Sequence, residues 1–281
     1  MNSAPGYQPQ VVLNGRLLAA GAALISPLGE GFMHGLGLFE TIKVLRGRPV
    51  FFPEHFERLR RSAGELGLPF TTASGELHAR CLRCAAANGL DDGSLKVVAF
   101  SDANSLGELI VARTNSYSDI NYKNGFALRI FSEDRRAGGI SGLKTLNYLK
   151  NLRAKQAAQA AGGDEALFID AEGLVLEGAM SSVFVVKGGE VLTPLLDGRI
   201  LPGIARSRVL QRLAGGRARE CAVTTELLFG ADEVFVTNAL LGVMPVASVD
   251  QQGYDLSRNP VTKSLMESWR KLQLQSVGEP P

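Results

Sequence analysis

Residues 37–67 read GLFETIKVLRGRPVFFPEHFERLRRSAGELG, and this stretch combines the two kinds of element that define the fold class. Apolar and polar residues alternate on either side of a turn at Arg46-Gly47-Arg48, which predicts a β-hairpin. Pro53 then begins a segment with the apolar spacing of an amphipathic helix. The apolar stripe of that helix comprises Phe56, Leu59, Ala63 and Leu66. A hairpin followed directly by a helix predicts a mixed α/β fold.

The same patterns continue along both halves of the chain. Further helices are predicted at about 74–89, 146–162, 203–216 and 260–276. Strands or β-rich segments are predicted at 11–15, 94–101, 108–117, 126–132, 164–170, 181–189 and 231–248. The polar segment 117–124 predicts a linker between a smaller N-terminal α/β domain, 1–116, and a larger C-terminal α/β domain, 125–281.

Composition narrows the class of protein. With 281 residues and 45% hydrophobic residues, the chain can form one large or two compact domains without disulfide or metal staples. Lys and Arg number 30 against 28 Asp and Glu, so the net charge of +2 offers no basic field for nucleic acid. The three Cys and three His are too few and too scattered for a zinc site. We therefore expect a soluble protein that binds a small molecule, with no metal, nucleic acid or membrane partner.

Two features bear on the compartment. The longest apolar run, Leu17 to Leu28, is too short for a membrane helix and lacks the basic start of a secretory signal. Cys81 and Cys84 form a C-x-x-C pair inside a predicted helix, which favours two buried helix cysteines over a redox-active pair. Free thiols are typical of a reducing cytoplasm, where we expect this protein.

A cluster of glycines at 29–37, GEGFMHGLG, has an alternative interpretation as a dinucleotide-binding loop. Such a loop must open a helix, whereas this cluster leads into the predicted strand LFETIKV. The favoured interpretation is a backbone that turns sharply or lies close to another segment of chain.

Three other positions are candidates for chemistry, each with an ordinary alternative. Lys144 is either an exposed surface lysine or a desolvated amine that can form a Schiff base. Glu177 follows an apolar triplet, so it is expected to be buried and to need either a protonated cofactor nitrogen or an arginine. The segment ILPGIARSRV, 200–209, presents N–H groups at a helix start, where phosphate binds, although every helix has such an end.

The order of the motifs resembles that of the fold-type IV pyridoxal-phosphate enzymes. This family includes branched-chain and D-amino acid aminotransferases and 4-amino-4-deoxychorismate lyase. The resemblance covers about residues 10–250 and rests on GLFETIKV…EHFERL, LKTLNYL, DEALFIDAEGLVLEGAMSSVFVV, LLDGRILPGIARSRV and VFVTNALLGVMPV. It implies two α/β domains with mixed sheets, pyridoxal 5'-phosphate between them, and a homodimer.

The resemblance also implies roles for individual residues. Lys144 matches the lysine that holds the cofactor covalently, and Glu177 matches the acid that pairs with the pyridine nitrogen. Keeping that nitrogen protonated makes the ring an electron sink. Arg58, in EHFERL, matches the arginine that binds the phosphate.

Weaker matches complete the cofactor site that the resemblance implies. Ile204 and Ala205 match the helix-start positions whose N–H groups receive the phosphate. Ala239 stands where aminotransferases place a hydroxyl near the phosphate, so it offers only backbone. Tyr148, four residues after Lys144, matches a tyrosine that reaches the cofactor's ring hydroxyl in some members.

Departures from the aminotransferase pattern favour the lyase branch. The D-amino acid enzymes place a substrate-binding arginine after the strand that matches KVVAF, whereas here Ser101, Asp102 and Ala103 follow. The NAL-VMPV pattern at 238–246, FET at 39–41 and LKVV at 95–98 are similar to the lyase. Aminotransferase activity on branched-chain or D-amino acids remains the first alternative, and a redox or dinucleotide-binding protein is a remote one.

The lyase assignment implies further roles around the substrate, 4-amino-4-deoxychorismate. Lys144 would act as general base as pyruvate leaves and 4-aminobenzoate forms, a step of folate biosynthesis. Thr41 would have a catalytic role near the reacting face of the substrate. Lys96 would bind a substrate carboxylate, and Asn238 is also assigned to substrate binding. A strand threonine and a solvated lysine are equally good interpretations of Thr41 and Lys96.

The histidines receive no clear chemical role from the sequence. His55 and Arg58 share a helix face, so His55 is expected to brace the arginine. His34 and His78 match no motif.

Overall fold

The structure is a computed structural model that describes residues 6–103, 105–114, 117–133, 140–213 and 216–278. Its contacts divide the chain into two compact units, each with a β-sheet and helices. Unit 1 comprises residues 1–116, 143–147 and 271–281, and unit 2 comprises 117–142 and 148–270. The domain boundary predicted at 117–124 stays a prediction, and the grouping by contacts also assigns the short segment 143–147 to unit 1.

Unit 1 is built on an antiparallel sheet of six strands within the described residues, in the order β2-β1-β6-β5-β3-β4. Its elements in chain order are β1 (Tyr7–Leu13), β2 (Arg16–Ala19), α1 (Glu30–His34), β3 (Gly37–Leu45), β4 (Arg48–Pro49), α2 (Phe52–Glu65), α3 (Ser74–Ala87), β5 (Asp92–Ser101) and β6 (Leu106–Thr114). The predicted hairpin at 46–48 and the helix that follows it are both confirmed.

Strand β3 presents two chemically different faces because its side chains alternate. Leu38, Ile42 and Val44 lie in the hydrophobic core with residues of α2 and α3. The residues between them, including Phe39 and Thr41, belong to the opposite face. This alternation decides which side chains of β3 are available for chemistry.

Residues 144–146 lie along the free edge of β3 rather than in a helix. The N–H of Phe39 donates to the carbonyl of Lys144 at 2.8 Å, and the N–H of Leu146 donates to the carbonyl of Gly37 at 2.9 Å. The helix predicted from residue 146 therefore begins only at Leu149, because the preceding backbone is paired with the sheet.

Unit 2 contains a mixed sheet in the order β12-β11-β10-β13-β14-β7-β8-β9, with β15 paired to β14. The elements are α4 (Asp119–Asn124), β7 (Phe126–Ser132), α5 (Leu149–Ala160), β8 (Glu165–Ile169), β9 (Val175–Gly178), β10 (Ser182–Lys187), β11 (Glu190–Pro194), α6 (Ile204–Arg212), β12 (Ala218–Cys221), α7 (Thr225–Phe229), β13 (Glu233–Asn238), β14 (Gly242–Val249), β15 (Gln252–Gly253) and α8 (Pro260–Ser276). The segment predicted as a linker carries α4, and α8 groups with unit 1 from Lys271 onward. The helix predicted at 203–216 ends at Arg212, and positions 214–215 lie outside the described residues.

The glycine cluster at 29–37 lies against the end of β5. A Cβ atom on Gly31 would lie 2.8 Å from the carbonyl oxygen of Ser101. A Cβ atom on Gly37 would lie 2.7 Å from the carbonyl oxygen of Ala99. Any side chain at these positions would therefore push the two segments apart. The predicted close approach of the backbone is confirmed, and the dinucleotide alternative is not supported.

Both cysteines of the C-x-x-C pair are buried within α3. Burial raises the pKa of both thiols, to about 11 for Cys84. Because the thiolate is the reactive form, such thiols are inert at neutral pH. The interpretation as buried helix cysteines is confirmed.

The described residues contain neither a membrane-spanning helix nor a cluster of metal ligands. None of their helices is long and apolar enough to cross a membrane. No three of their His, Cys, Asp and Glu side chains cluster as metal ligands.

Glu165 on β8 predicts a pH-dependent stability. Its carboxylate is buried, with the ammonium of Lys155 at 3.8 Å, and burial outweighs that charge and raises its pKa to about 7. The unfolded carboxyl ionises near its ordinary pKa, so between about pH 4.5 and 7 unfolding releases a proton. The free energy of unfolding should therefore fall by about 3 kcal/mol as the pH rises through this window.

Denaturant unfolding at pH 5 and pH 8 measures this effect. Glu165→Gln should remove most of the difference, whereas Glu172→Gln, at an exposed turn, should keep it. An unchanged pH dependence in Glu165→Gln would show that another group is responsible.

Candidate active site

A buried ion cluster joins β3 to α2 in unit 1. The Nε and Nη2 atoms of Arg58 donate to the two carboxylate oxygens of Glu40 at 2.7 and 2.6 Å. The Nδ1 atom of His55 lies 2.6 Å from Oε2 of the same carboxylate. All three residues are at most 6% exposed, so this arrangement is fixed by the interior of the unit.

The protonation states in this cluster follow from its geometry. Burial alone would raise the pKa of Glu40, but the charge of Arg58 and the hydrogen bond from His55 lower it to about 2. Burial lowers the pKa of His55 despite the nearby carboxylate. The ionised carboxylate of Glu40 can only accept, so Nδ1 of a neutral His55 carries the hydrogen. The cluster therefore holds one negative and one positive charge near neutral pH.

Glu40 is not among the site residues that the sequence patterns predict. His55 was expected to brace Arg58 directly, but it contacts the carboxylate of Glu40, and the two helix residues meet through that group. The signal was present, because Glu40 occupies an inward position between Leu38 and Ile42 of an otherwise apolar face. A charged residue at such a position needs a buried partner.

On the opposite face of β3, the ring of Phe39 lies next to two ammonium groups. The Nζ atom of Lys144 is 4.4 Å from the ring centroid, and the Nζ atom of Lys96 is 4.3 Å from it. Both distances fall in the range of cation–π attraction. Lys144 is half-buried, so the alternative of a fully exposed surface lysine is wrong.

Thr41 and Lys96 are direct partners across β3 and β5. Residues directly opposite in an antiparallel pair project to the same face, so both share the face of Phe39. Burial and the charge of Arg113 lower the pKa of Lys96, which is therefore not an ordinary solvated lysine. Unit 1 thus brings together Lys144, Thr41 and Lys96, three of the residues predicted from the sequence.

Unit 2 contains a buried carboxylate at the end of β9. Glu177 is 6% exposed, and its Oε2 atom accepts a hydrogen bond from the N–H of Leu201 at 3.1 Å. The predicted burial of Glu177 is confirmed. An anionic carboxylate in this environment suits a protonated ring nitrogen as a partner.

The start of α6 has the features of a phosphate site. Among the described residues no side chain caps this helix, so the first N–H groups, including those of Ile204 and Ala205, have no side-chain acceptor there. A Cβ atom on Gly203 would lie 2.8 Å from Oγ of Ser182, which pairs across the sheet with Thr237.

The hydroxyl of Thr237 adds a second observation. It is buried and has no hydrogen-bond partner among the described residues. An orphaned hydroxyl beside an uncapped helix start fits a phosphate group. The residues of unit 2 therefore fit a phosphorylated pyridine, with Glu177 for the ring nitrogen and the start of α6 for the phosphate.

Two other predicted residues make hydrogen bonds within unit 2. The hydroxyl of Tyr148, just before α5, donates to the carbonyl of Ala179 at 3.0 Å. Asn238 shapes the turn that contains Ala239, because its Oδ1 accepts from two turn N–H groups at 2.9 Å. Its Nδ2 donates to the carbonyl of Met180 at 3.1 Å. These contacts fix the positions of the side chains, while their roles toward a ligand stay predictions.

His34 and His78 belong neither to the candidate residues of unit 1 nor to those of unit 2. His34 is exposed on α1 and lies 3.6 Å from Glu30, one helical turn away. His78 packs against Phe52 with ring centroids 4.7 Å apart, and burial lowers its pKa.

The buried cluster predicts a large loss of stability when its charge is unbalanced. Glu40→Gln leaves the Arg58 guanidinium buried without its counter-charge and should lower the free energy of unfolding by about 3–5 kcal/mol. The double variant Glu40→Gln/Arg58→Met should recover much of that loss. Glu57→Gln is the matched control on α2, because its partner Arg60 is exposed, and it should change stability little.

Denaturant unfolding of the four proteins measures these differences. A Glu40→Gln variant as stable as the parent would contradict the importance assigned to this cluster.

Comparison with known proteins identifies relatives that match almost the whole chain. The chain is 27% identical to the aminodeoxychorismate lyase of Bacillus subtilis, over 93% of this chain and 94% of that protein. It is 32% identical to the D-alanine aminotransferase of Bacillus licheniformis, over 96% of this chain and 99% of that protein.

A solved structure shows the same fold. The branched-chain amino acid aminotransferase of Escherichia coli matches with a TM-score of 0.85 and 26% identity. The match covers 98% of this chain and 96% of that chain. The expectation of a mixed α/β protein of fold type IV is therefore confirmed.

Residues 37–249 match the model of the amino-transferase class IV family. This range includes β3, Lys144, Glu177 and the start of α6. The family uses pyridoxal 5'-phosphate, the group that the residues of unit 2 fit. We conclude that the chain belongs to the class IV family of pyridoxal-phosphate-dependent enzymes.

Proposed function

We propose that this protein is a lyase that converts 4-amino-4-deoxychorismate to 4-aminobenzoate and pyruvate, a step of folate biosynthesis. The observation that carries the proposal is the pairing of Thr41 with Lys96 on the face where Phe39 contacts the amine of Lys144. Both residues lie in the FET and LKVV motifs that are similar to the lyase. The relationship to the Bacillus subtilis lyase over nearly the whole chain supports the same assignment.

The contacts to the cofactor are assigned to individual residues. Lys144 would bind it covalently, and Glu177 would accept a hydrogen bond from its ring nitrogen. Arg58, the N–H groups of Ile204 and Ala205 and the backbone at Ala239 are assigned to its phosphate, and Tyr148 to its ring hydroxyl. When bound, the cofactor supplies an electron sink for the carbon that loses a proton.

The chain's own groups then have defined tasks. The amine of Lys144 takes the proton from the ring carbon that carries the substrate's amino group, as the carbon–oxygen bond to the side chain breaks. The gain of an aromatic ring drives this step. The side chain leaves as the enol form of pyruvate, which becomes pyruvate when its methylene carbon takes up a proton. The ammonium of Lys96 binds a carboxylate of the substrate, and the hydroxyl of Thr41 donates a hydrogen bond at the reacting face. Asn238 has one Nδ2 hydrogen beyond its bond to Met180 to offer the substrate.

Aminotransferase activity is the second candidate, and a specific observation favours it. Identity to the Bacillus licheniformis D-alanine aminotransferase is 32%, above the 27% to the lyase. Against it, Ser101, Asp102 and Ala103 follow β5 without the arginine expected of a D-amino acid enzyme. The redox alternative is weakened by the burial of Cys81 and Cys84.

We also propose a homodimer in the cytoplasm. Leu24, Leu28 and Phe32 are 85, 80 and 69% exposed, and Met33 beside them is 59% exposed. Large apolar side chains exposed together are typical of a surface that a second copy covers. The three cysteines form no disulfide, which is typical of a reducing compartment.

Product analysis tests the proposed reaction. Protein loaded with pyridoxal phosphate should convert 4-amino-4-deoxychorismate to equal amounts of 4-aminobenzoate and pyruvate. With D-alanine or a branched-chain amino acid and 2-oxoglutarate, it should form no glutamate beyond one turnover. Lys144→Ala should abolish product formation and the cofactor's absorbance, whereas Lys263→Ala, at an exposed position on α8, should retain both.

Sustained glutamate formation without 4-aminobenzoate would favour the aminotransferase instead. A Lys144→Ala variant with unchanged cofactor absorbance would refute the assignment of that lysine.

A further inference from the structure

The face of the unit 1 sheet that carries Phe39 also carries a group of basic side chains. Ser94 on β5 lies directly opposite Lys43 on β3 and directly opposite Arg113 on β6. Residues directly opposite in antiparallel strands project to the same face, so these two cations flank a small side chain. Lys96 lies two residues along β5 from Ser94 and projects to that face as well. Three basic residues therefore surround Ser94.

Aromatic rings hold two of these cations on different sides of the group. The Cζ atom of Arg113 lies 4.5 Å from the ring centroid of Tyr7 on β1, whereas the Nζ atom of Lys96 lies 4.3 Å from that of Phe39 on β3. Strands β1 and β3 lie on opposite sides of the β6–β5 pair. The two charged ends are therefore held apart, so that each can bind its own anionic group.

The charges of this group are not balanced by a neighbouring carboxylate. Within the described residues, none of Lys43, Lys96 and Arg113 forms an ion pair. Burial and the charge of Arg113 lower the pKa of Lys96, so each of these two cations lies within the field of the other. The acidic residue of this face in β5 is Asp92, which is exposed at the start of the strand, opposite Leu45. Such a concentration of positive charge attracts anions.

Ser94 supplies a hydrogen-bond donor at the centre of the group. The residue is 4% exposed, and its hydroxyl forms no hydrogen bond to the described residues. A short side chain between the longer Lys43 and Arg113 leaves a depression in this face of the sheet. A hydroxyl in that position can donate to a carboxylate oxygen that binds there.

We propose that Lys43, Ser94 and Arg113 form a carboxylate-binding site next to Lys96, and that the substrate is a molecule with two carboxylates. One carboxylate binds Lys96. The other binds the guanidinium of Arg113, whose planar N–H groups can hold both oxygens. The inference rests on the proposed function, because 4-amino-4-deoxychorismate carries one carboxylate on its ring and another on its side chain.

This site would make Arg113 a residue that determines specificity. A substrate with a single carboxylate leaves one of the two cations without its anion, so it loses the contribution of that contact. The sequence patterns assign no role to Arg113, because its position opposite Ser94 depends on the pairing of β5 with β6.

Two unreactive probes test the site in the full-length protein loaded with pyridoxal phosphate. Isophthalate carries two carboxylates on one ring, and benzoate carries one. In isothermal titration calorimetry, the parent protein should bind isophthalate about tenfold more tightly than benzoate. In Arg113→Met the Kd of isophthalate should rise about tenfold, whereas that of benzoate should change by less than about twofold, because Lys96 can still bind its carboxylate.

Further variants separate charge from other effects of the substitution. Arg113→Lys keeps the charge and should keep most of the preference for isophthalate. Lys43→Met removes the other cation beside Ser94 and should raise the Kd of isophthalate about threefold. Arg61→Met removes an exposed arginine of α2, which packs on the opposite face of the sheet, and should leave both dissociation constants unchanged.

Two results would overturn the inference. One is a parent protein that binds isophthalate no more tightly than benzoate, including one that binds neither. The other is an unchanged preference for isophthalate in Arg113→Met and in Arg113→Gln, a polar variant that repeats the test should Arg113→Met not fold.

Kinetics separate this inference from the proposed function. With 4-amino-4-deoxychorismate, Arg113→Met should raise KM about tenfold and leave kcat within about threefold, because the guanidinium binds the substrate and takes no part in bond breaking. A protein without lyase turnover that still loses its preference for isophthalate in Arg113→Met supports the carboxylate site alone. A protein that releases 4-aminobenzoate but binds the two probes equally supports the lyase and refutes the site.

Discussion

The position of Lys144 depends on one constraint, the pairing of residues 144–146 with the edge of β3. Two main-chain hydrogen bonds, from Phe39 to Lys144 and from Leu146 to Gly37, hold a segment from the middle of the chain on the first sheet. A backbone fixed in this way restricts where the side chain of Lys144 can go. The ammonium group consequently lies beside the ring of Phe39, the residue whose N–H forms one of those bonds.

Side chains alternate along β3, so one face of the strand packs in the core and the other carries the residues proposed for chemistry. Its inward face carries Glu40, which joins α2 to the sheet through Arg58 and His55 inside the core. Its outward face carries Phe39 and Thr41 beside the two lysines. A shift of register by one residue would exchange these faces and destroy both arrangements at once. The uninterrupted pairing of β3 with β5 therefore matters for chemistry as well as for stability.

The sequence predicted the hairpin, the five longer helices and the burial of Glu177, because these depend on local alternation and spacing, but it did not predict the short helices α1, α4 and α7. It could not place the start of α5, since residues 144–146 are held by a strand about a hundred residues earlier in the chain. It also could not show that Lys96 and Lys144 share one aromatic ring, because that contact joins three separate segments. Glu40 could have been recognised from its inward position, but its partners on α2 are known only from the fold.

The central claim is that Lys144 is the lysine that binds the cofactor. Loading the full-length protein with pyridoxal phosphate, reducing it with borohydride and mapping the modified peptide tests this claim most directly. The account predicts a single phosphopyridoxyl group on the peptide that contains Lys144. Modification of Lys96 or another lysine in its place, or no specific modification at all, would contradict it.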